Sequence, residues 1–148
     1  MTELLISAAR ASDLSEIVKL EAEAFPAPWK REFFASELEM SGRYNTTARS
    51  SEGAFLGYMF AMHFLDEMHV NKIAVNVESR RSGVAAALMA DCFRFAGEQE
   101  IRSISLEVRE TNEGAQAFYR KLAFESVYRR ANYYPDGEAA MVMVRQIG

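Results

Sequence analysis

The sequence predicts a mixed α+β fold in one domain, with about seven strands in a central sheet and four flanking helices. Three observations lead there. Two helix-like stretches near the N terminus precede a run of three strand-like stretches, and the second half then alternates helix and strand. Over 148 residues, no linker, internal repeat or low-complexity segment divides the chain, so residues 1–148 read as a single domain. The resulting order is βααβββαβαββ, which is not a pure βαβ repeat.

Each element has its own signal. Leu4–Ala9 reads as a short first strand. Ser12 is placed to cap the helix that follows, with Glu16 in its first turn and Ile17, Leu20, Ala24 and Phe25 at helical spacing. Pro26 and Pro28 stop that helix, since proline lacks the amide and clashes with the preceding turn. A second helix starts near Trp29, carries Phe33, Phe34 and Leu38, and ends at Gly42. Tyr44–Arg49, Phe55–Phe64 and Met68–Val77 are rich in aromatic or β-branched residues and read as strands. Gly83–Gly97 is the clearest helix, with Val84, Leu88, Met89, Cys92, Phe93 and Ala96 as its apolar stripe. Strand Ser103–Arg109, helix Asn112–Leu122 and strands Phe124–Arg130 and Ala139–Val144 complete the chain.

Composition narrows the class. Apolar residues make up 49% and charged residues 26%, the balance of a globular domain able to bury a core without disulfides. Seventeen Lys and Arg against twenty-one Asp and Glu give a net charge of -4, which argues against direct nucleic-acid binding. The lone Cys92 suggests a reducing compartment, and the start lacks a signal peptide's basic and apolar regions. No apolar stretch approaches the roughly 20 residues of a membrane span. The expectation is a cytoplasmic protein. His63 and His69 have no Cys or His partner at metal-ligand spacing, so no metal is expected, and Cys92 reads as a packing residue.

The most informative segment is Arg80-Arg81-Ser82-Gly83-Val84-Ala85-Ala86, between a strand and the clearest helix. A helix N terminus presents amides without intrahelical acceptors and a partial positive charge, which suits a phosphate. Gly83 lets the chain turn sharply there, and two arginines stand beside it. The segment carries neither Gly-Lys-Ser/Thr nor Gly-x-Gly-x-x-Gly, so nucleotide-triphosphatase and dehydrogenase readings lose their support. An ordinary strand-to-helix turn with two surface arginines is the alternative.

Arg80-x-x-Gly83-x-Ala85 resembles the Gln/Arg-x-x-Gly-x-Gly/Ala signature of the GCN5-related N-acetyltransferases, the GNAT family. Four further segments resemble that family's bacterial ribosomal-protein-alanine branch, the RimI type. They are Ala24-Phe25-Pro26-Ala27-Pro28-Trp29, Asn71-Lys72-Ile73-Ala74-Val75, Leu106-Glu107-Val108-Arg109-Glu110-Thr111-Asn112 and Arg129-Arg130-Ala131-Asn132-Tyr133-Tyr134-Pro135. The resemblance covers essentially the whole chain and implies the GNAT fold, a mostly antiparallel mixed sheet. It also implies acetyl-CoA as co-substrate, its pyrophosphate on the Arg80–Ala86 segment, its pantetheine arm along Ile73, Ala74 and Val75, and a further contact at Asn112. A helix N-cap role for Thr111 or Asn112 is the plainer reading. Trp29, Tyr133 and Tyr134 would line the acceptor groove, although as pattern alone they read as packing residues. The implied acceptor is a protein N terminus, that of ribosomal protein S18. Other amines, lysine side chains, or acyl-CoA binding without turnover are the alternatives. The chain departs from its relatives at Leu122-Ala123-Phe124, where they carry Leu-Gly-Phe; a positive φ there would cost alanine about 1 kcal/mol or somewhat more.

For the chemistry, alternation puts Ile104, Leu106 and Val108 on one strand face and Ser105, Glu107 and Arg109 on the other. Glu107 alone reads as an exposed strand carboxylate; the resemblance makes it the general base. An α-amine near pKa ~7.7–8.0 is far more often neutral at pH 7 than a lysine near ~10.4, which suits a site with only a carboxylate base. An ordinary glutamate lies about 3.5 pKa units below that amine, so direct transfer is uphill by about 5 kcal/mol. Either burial raises Glu107 or a water relays the proton after attack, and the relay is the favoured route. Tyr119 falls on the apolar stripe of its helix as a packing tyrosine; the resemblance makes it the acid facing the thioester sulfur. Its hydroxyl is a weaker acid than a thiol, so it would hydrogen-bond the developing thiolate with late or incomplete proton transfer.

Overall fold

The computed structural model describes residues 3–80 and 82–148, and its elements follow the predicted order. Seven strands, β1 (Leu4–Ala8), β2 (Arg43–Ser50), β3 (Phe55–Phe64), β4 (Glu67–Val75), β5 (Ser103–Arg109), β6 (Glu125–Arg130) and β7 (Ala140–Gln146), form one sheet in the order β1-β2-β3-β4-β5-β7-β6. The helices are α1 (Leu14–Ala24), α2 (Arg31–Glu39), α3 (Val84–Glu98) and α4 (Glu113–Lys121).

All neighbouring strands are antiparallel except β4 and β5, which run parallel through the α3 crossover. Their pairing is short: Glu67–Val70 meets Ser103–Leu106, and beyond it the two strands part while β3 continues along β4 and β7 along β5. The sheet therefore opens in its middle at Val70 and Leu106.

Two cores cover the two faces. On one, Met59, Met68, Val70, Ile104, Leu106 and Met143 pack with Leu88, Met89 and Cys92 of α3 and Tyr119 of α4. On the other, Tyr58, Phe60 and Ala74 pack with Ile17 and Leu20 of α1 and Phe34 of α2. The register slips between Phe60 and Ala61, leaving Asn71 as an extra residue on β4. This bulge explains why Met68 and Val70 join the α3 core, yet Ile73 and Val75, not Lys72 and Ala74, follow them there.

Three local expectations are corrected. Ser12 does not cap α1: a 3-10 turn, Ala11–Asp13, leads into the helix, and the Asp13 carboxylate accepts the Arg10 amide at 2.8 Å and meets Arg49 at 2.7 Å. A carboxylate serves two partners where a hydroxyl would serve one. The strand expected over Met68–Val77 ends at Val75, because Asn76 turns its amides onto Leu56 and Phe55 carbonyls and a 3-10 turn, Val77–Ser79, follows. Helix α2 ends at Glu39, not at Gly42; Gly42, with φ 70°, instead makes the turn into β2, where a Cβ would lie 2.9 Å from the His63 carbonyl oxygen.

Candidate functional site

The opening between β4 and β5 has one wall made of backbone. Ile73–Val75 pairs with β3 on one side, and its other edge has no strand partner among the described residues, so the amides and carbonyls of that edge face the gap. Gly57 on β3 permits this arrangement, since a Cβ there would come within 2.5 Å of the Ala74 carbonyl. Ala74 is buried, and Ile73 and Val75 pack on the α3 core, so the side chains hold the strand while the backbone stays available.

At the start of α3, Gly83 adopts φ 85° and ψ 8°, in the left-handed region. Among the described residues, a side chain there would meet no atom within 4 Å, so backbone conformation, not crowding, requires glycine. The Ala87 amide donates to the Gly83 carbonyl at 2.9 Å and closes the first helical turn. Val84 anchors that turn in the core, while Ala85 and Ala86 leave its outer side clear of bulk. The Ser82 hydroxyl donates back to the Ser79 carbonyl, so its side chain serves the turn. Arg80 is exposed and meets no carboxylate among the described residues; Arg81 lies outside them. Asn112 is the cap of α4, its Oδ1 accepting the Ala115 amide at 3.0 Å, which decides between the two readings of Thr111 and Asn112 as caps.

The other wall is made of side chains. Glu107 is the first residue of β5 beyond its pairing with β4, and its side chain is 11% exposed on the face away from α3. His69 Nε2 lies 2.8 Å from Glu107 Oε2, and His69 Nδ1 lies 2.8 Å from Ser105 Oγ. The Tyr133 hydroxyl donates to Glu107 Oε1 at 3.1 Å, and Arg130 stands 3.6 Å from the same oxygen. Burial pushes the Glu107 carboxyl up. The His69 hydrogen bond and charge, the Tyr133 hydroxyl and Arg130 outweigh burial and hold it below the ordinary carboxylate range. Burial therefore does not make Glu107 a stronger base. A cavity of about 450 Å³ opens beside it, lined by Met62, Phe64, Glu67, His69, Ser105 and Val144 among others.

Tyr119 is buried on α4 between the Phe118 and Phe124 rings at 5.1 and 5.6 Å, and burial raises its phenol well above the ordinary range. No group among the described residues hydrogen-bonds its hydroxyl. Tyr134 lies under the Arg109 guanidinium at 4.1 Å and edge-on to Tyr133 at 5.0 Å. Trp29 belongs to a different cluster. Its amide donates to Glu21 Oε2 at 2.9 Å, its ring lies 4.3 Å from Phe33, and Lys72, 3.1 Å from Glu21, sits over Phe25 at 3.8 Å. The structure thus brings Tyr133 to Glu107 and places Trp29 with the α1–α2 turn. His69 and Arg130 are partners of Glu107 that the sequence does not reveal, and Ser105 reaches the carboxylate only through His69. Alternation puts Ser105 on the Glu107 face of β5, but His69 arrives only through the parallel register.

Cys92 is buried, 3.8 Å from the Met68 sulfur, and burial with the Asp91 charge pushes its thiol up to about 12, so it packs as expected. Among the described residues, no three His, Cys, Asp or Glu side chains group as a metal site, and no helix is long and apolar enough to cross a membrane.

The site joins a crossover strand pair that splays, a left-handed glycine opening the following helix and a carboxylate at the splay. The profile of the GNAT acetyltransferase family matches residues 14–124, and the chain belongs to that family. It is an N-acetyltransferase, similar to the family's bacterial ribosomal-protein-alanine branch. The [ribosomal protein bS18]-alanine N-acetyltransferase of Escherichia coli (strain K12) is 31% identical over 145 residues, covering 96% of this chain and 97% of that one. A putative enzyme of the same description from Bacillus subtilis (strain 168) is 29% identical over 143 residues, covering 96% and 95%. The crystal structure of the ribosomal-protein-S18-alanine N-acetyltransferase from Escherichia coli superposes with a TM-score of 0.91 at 30% identity, covering 99% of this chain and 95% of that one.

Proposed function

We propose that residues 1–148 form one catalytic domain that moves the acetyl group of acetyl-CoA to the α-amine of a protein N terminus in the cytoplasm. The proposed acceptor is the N-terminal alanine of ribosomal protein S18. The observation that carries this reading is the pairing of an open backbone edge at Ile73–Val75 with a carboxylate, Glu107, at the mouth of the same splay. The first supplies hydrogen bonds to an extended donor arm; the second is a base aimed at an amine.

In this reading the amides around Gly83 hold the pyrophosphate, with Arg80 and Arg81 adding charge and Asn112 a further contact. A backbone amide of Ile73–Val75 stabilises the oxyanion as the amine nitrogen bonds to the thioester carbon. The proton on that nitrogen leaves for Glu107 through a water, after attack has made it acidic. A carboxyl held below its ordinary range favours this order over prior deprotonation of the ammonium. The C–S bond then breaks, and Tyr119 donates a hydrogen bond to the leaving sulfur. With its phenol raised by burial, full transfer is more uphill than for an ordinary tyrosine, so the proton stays largely on oxygen. Tyr133, Tyr134 and Trp29 flank the acceptor. The net charge of -4 favours encounter with a basic ribosomal protein.

Peptides with a free N-terminal alanine, a blocked one, or only an internal lysine, incubated with acetyl-CoA and read by mass spectrometry, test this. Acetylation of the free alanine alone is expected. Labelling of the blocked, lysine-bearing peptide or of a polyamine, or coenzyme binding without product, overturns it.

A further inference from the structure

The sheet face that carries Glu107 is covered at one end only. Helices α1 and α2 pack over Tyr58, Phe60 and Ala74. Further along the same side of β3, Met62 is 38% exposed and Phe64 74%. Directly paired residues share a face, and the pairings carry this uncovered area across the sheet: Phe64 meets Glu67, Glu67 meets Ser103, Ser105 meets Val144, and Val144 meets Glu125. The cavity of about 450 Å³ occupies the area, with Met62, Phe64 and Val144 as apolar lining and Glu67 at its charged end. At the tip of the β3–β4 hairpin stands Leu65, 80% exposed at φ 55°. Glycine or asparagine would hold that conformation at less cost, so neither burial nor the backbone accounts for leucine there.

We propose that the acceptor's chain runs over this face after its first residues, and that the face selects a basic side chain there. The inference rests on the α-amine reading of the site and adds which part of the acceptor is read beyond its end. Charge sets the sign of the partner. Glu67 and Glu125 are exposed, and neither pairs with a cation among the described residues, whereas Arg43 and Arg130 at the borders already face Glu37 and Glu107. The area thus offers apolar carbon beside uncompensated negative charge. A lysine or arginine side chain is its complement: an apolar stem for Met62 and Phe64, and a cationic head for Glu67, with the Phe64 ring as a second partner. A second copy of this chain suits the face less, because it would bring two more unpaired carboxylates to the same place. Strand geometry sets the position. Ser103, beside Glu67, lies four residues before Glu107 on β5, about 13 Å at ~3.3 Å per residue. An acceptor extended along the face with its first residue at Glu107 brings about its fifth residue to Glu67.

The test measures kcat and KM at saturating acetyl-CoA for peptides that begin with a free alanine. One is a neutral tripeptide, one a neutral nonapeptide, and the rest are nonapeptides with a single arginine moved through the second to eighth positions. In the wild type, kcat/KM is expected to peak with arginine near the fifth position, roughly three- to tenfold above the neutral nonapeptide, through KM and not kcat. Glu67→Lys removes that peak and favours glutamate at the same position, while the tripeptide reacts as with the wild type. Glu67→Gln, which flattens the peak without inverting the preference, serves should the lysine variant fail to fold. Phe64→Ser lowers the peak and also spares the tripeptide. A flat profile in the wild type, or a peak that the Glu67 variants leave in place, overturns the inference. So does a dimer in solution that Phe64→Ser dissociates, which gives the face to a second copy. If none of these peptides is acetylated, the acceptor reading falls and takes the inference with it; a flat profile with acetylation intact strikes the inference alone.

Discussion

The two walls of the splay are built from different materials. The proposed donor wall, Ile73–Val75 and the turn at Gly83, offers backbone groups, and its side chains serve the core or stay small. The proposed acceptor wall, Glu107 with His69, Ser105, Arg130 and Tyr133, offers side chains drawn from β4, β5, β6 and the turn beyond it. A backbone site depends on conformation, so one residue with the right φ decides it. A side-chain site depends on register, so its parts have meaning only after the strands have paired. The first tolerates changes of side chain and fails on a change of backbone; the second does the reverse.

The sharpest way to break this contrast is Glu107→Gln. It removes the proposed base and keeps the shape, so kcat should fall by roughly 10²- to 10⁴-fold, the usual worth of general base catalysis. Coenzyme affinity, measured by calorimetry, should stay where it was, since no donor group changes. A parallel loss of coenzyme binding would show the walls to be one unit.

Gly83→Ala attacks the other wall and should have a smaller effect. The position has open space and φ 85°, so the methyl meets nothing and the cost is conformational, about 1–2 kcal/mol. Relaxation of the turn moves the amides that would face the pyrophosphate, and coenzyme affinity should weaken roughly tenfold, equivalent to about 1.4 kcal/mol. The acid limb of the pH profile should be the wild type's. A shifted limb would mean that the α3 turn and the Glu107 cluster communicate.

The same contrast explains what is legible in the chain. The element order, the alternation that puts Glu107 opposite Leu106 and Val108, and the Gly83 turn are all local patterns, and local patterns survive in sequence. The expected Ser12 cap and the run of strand through Val77 fail because their competitors are tertiary: Arg49 recruits Asp13 from β2, and the carbonyls of Phe55 and Leu56 capture Asn76. His69 is invisible as a partner of Glu107 for a similar reason. The two lie on strands joined by a long crossover, and a bulge at Asn71 sets how β4 presents its faces. Nothing within a few residues of His69 announces Ser105 or Glu107.

Ala123 marks the mildest consequence of this division, because there a backbone requirement is met by the wrong residue. Helix α4 ends with the Ala123 amide on the Arg120 carbonyl at 2.9 Å and the Phe124 amide on the Tyr119 carbonyl at 3.0 Å, a Schellman turn whose left-handed residue is Ala123 at φ 70°. Phe124 folds back onto the Tyr119 ring at 5.6 Å, so the strained turn buttresses the proposed acid. Ala123→Gly relieves about 1–2 kcal/mol of strain and gives back about 0.5–1 kcal/mol to the greater freedom of the unfolded chain. The net gain of about 0.5–1 kcal/mol should raise the melting temperature by roughly 2–3 °C. Turnover should hold, because neither the carbonyls that accept nor the ring that packs is altered. If stability rises and kcat falls together, the alanine is tuning Tyr119, and a backbone turn outside both walls reaches into the chemistry after all.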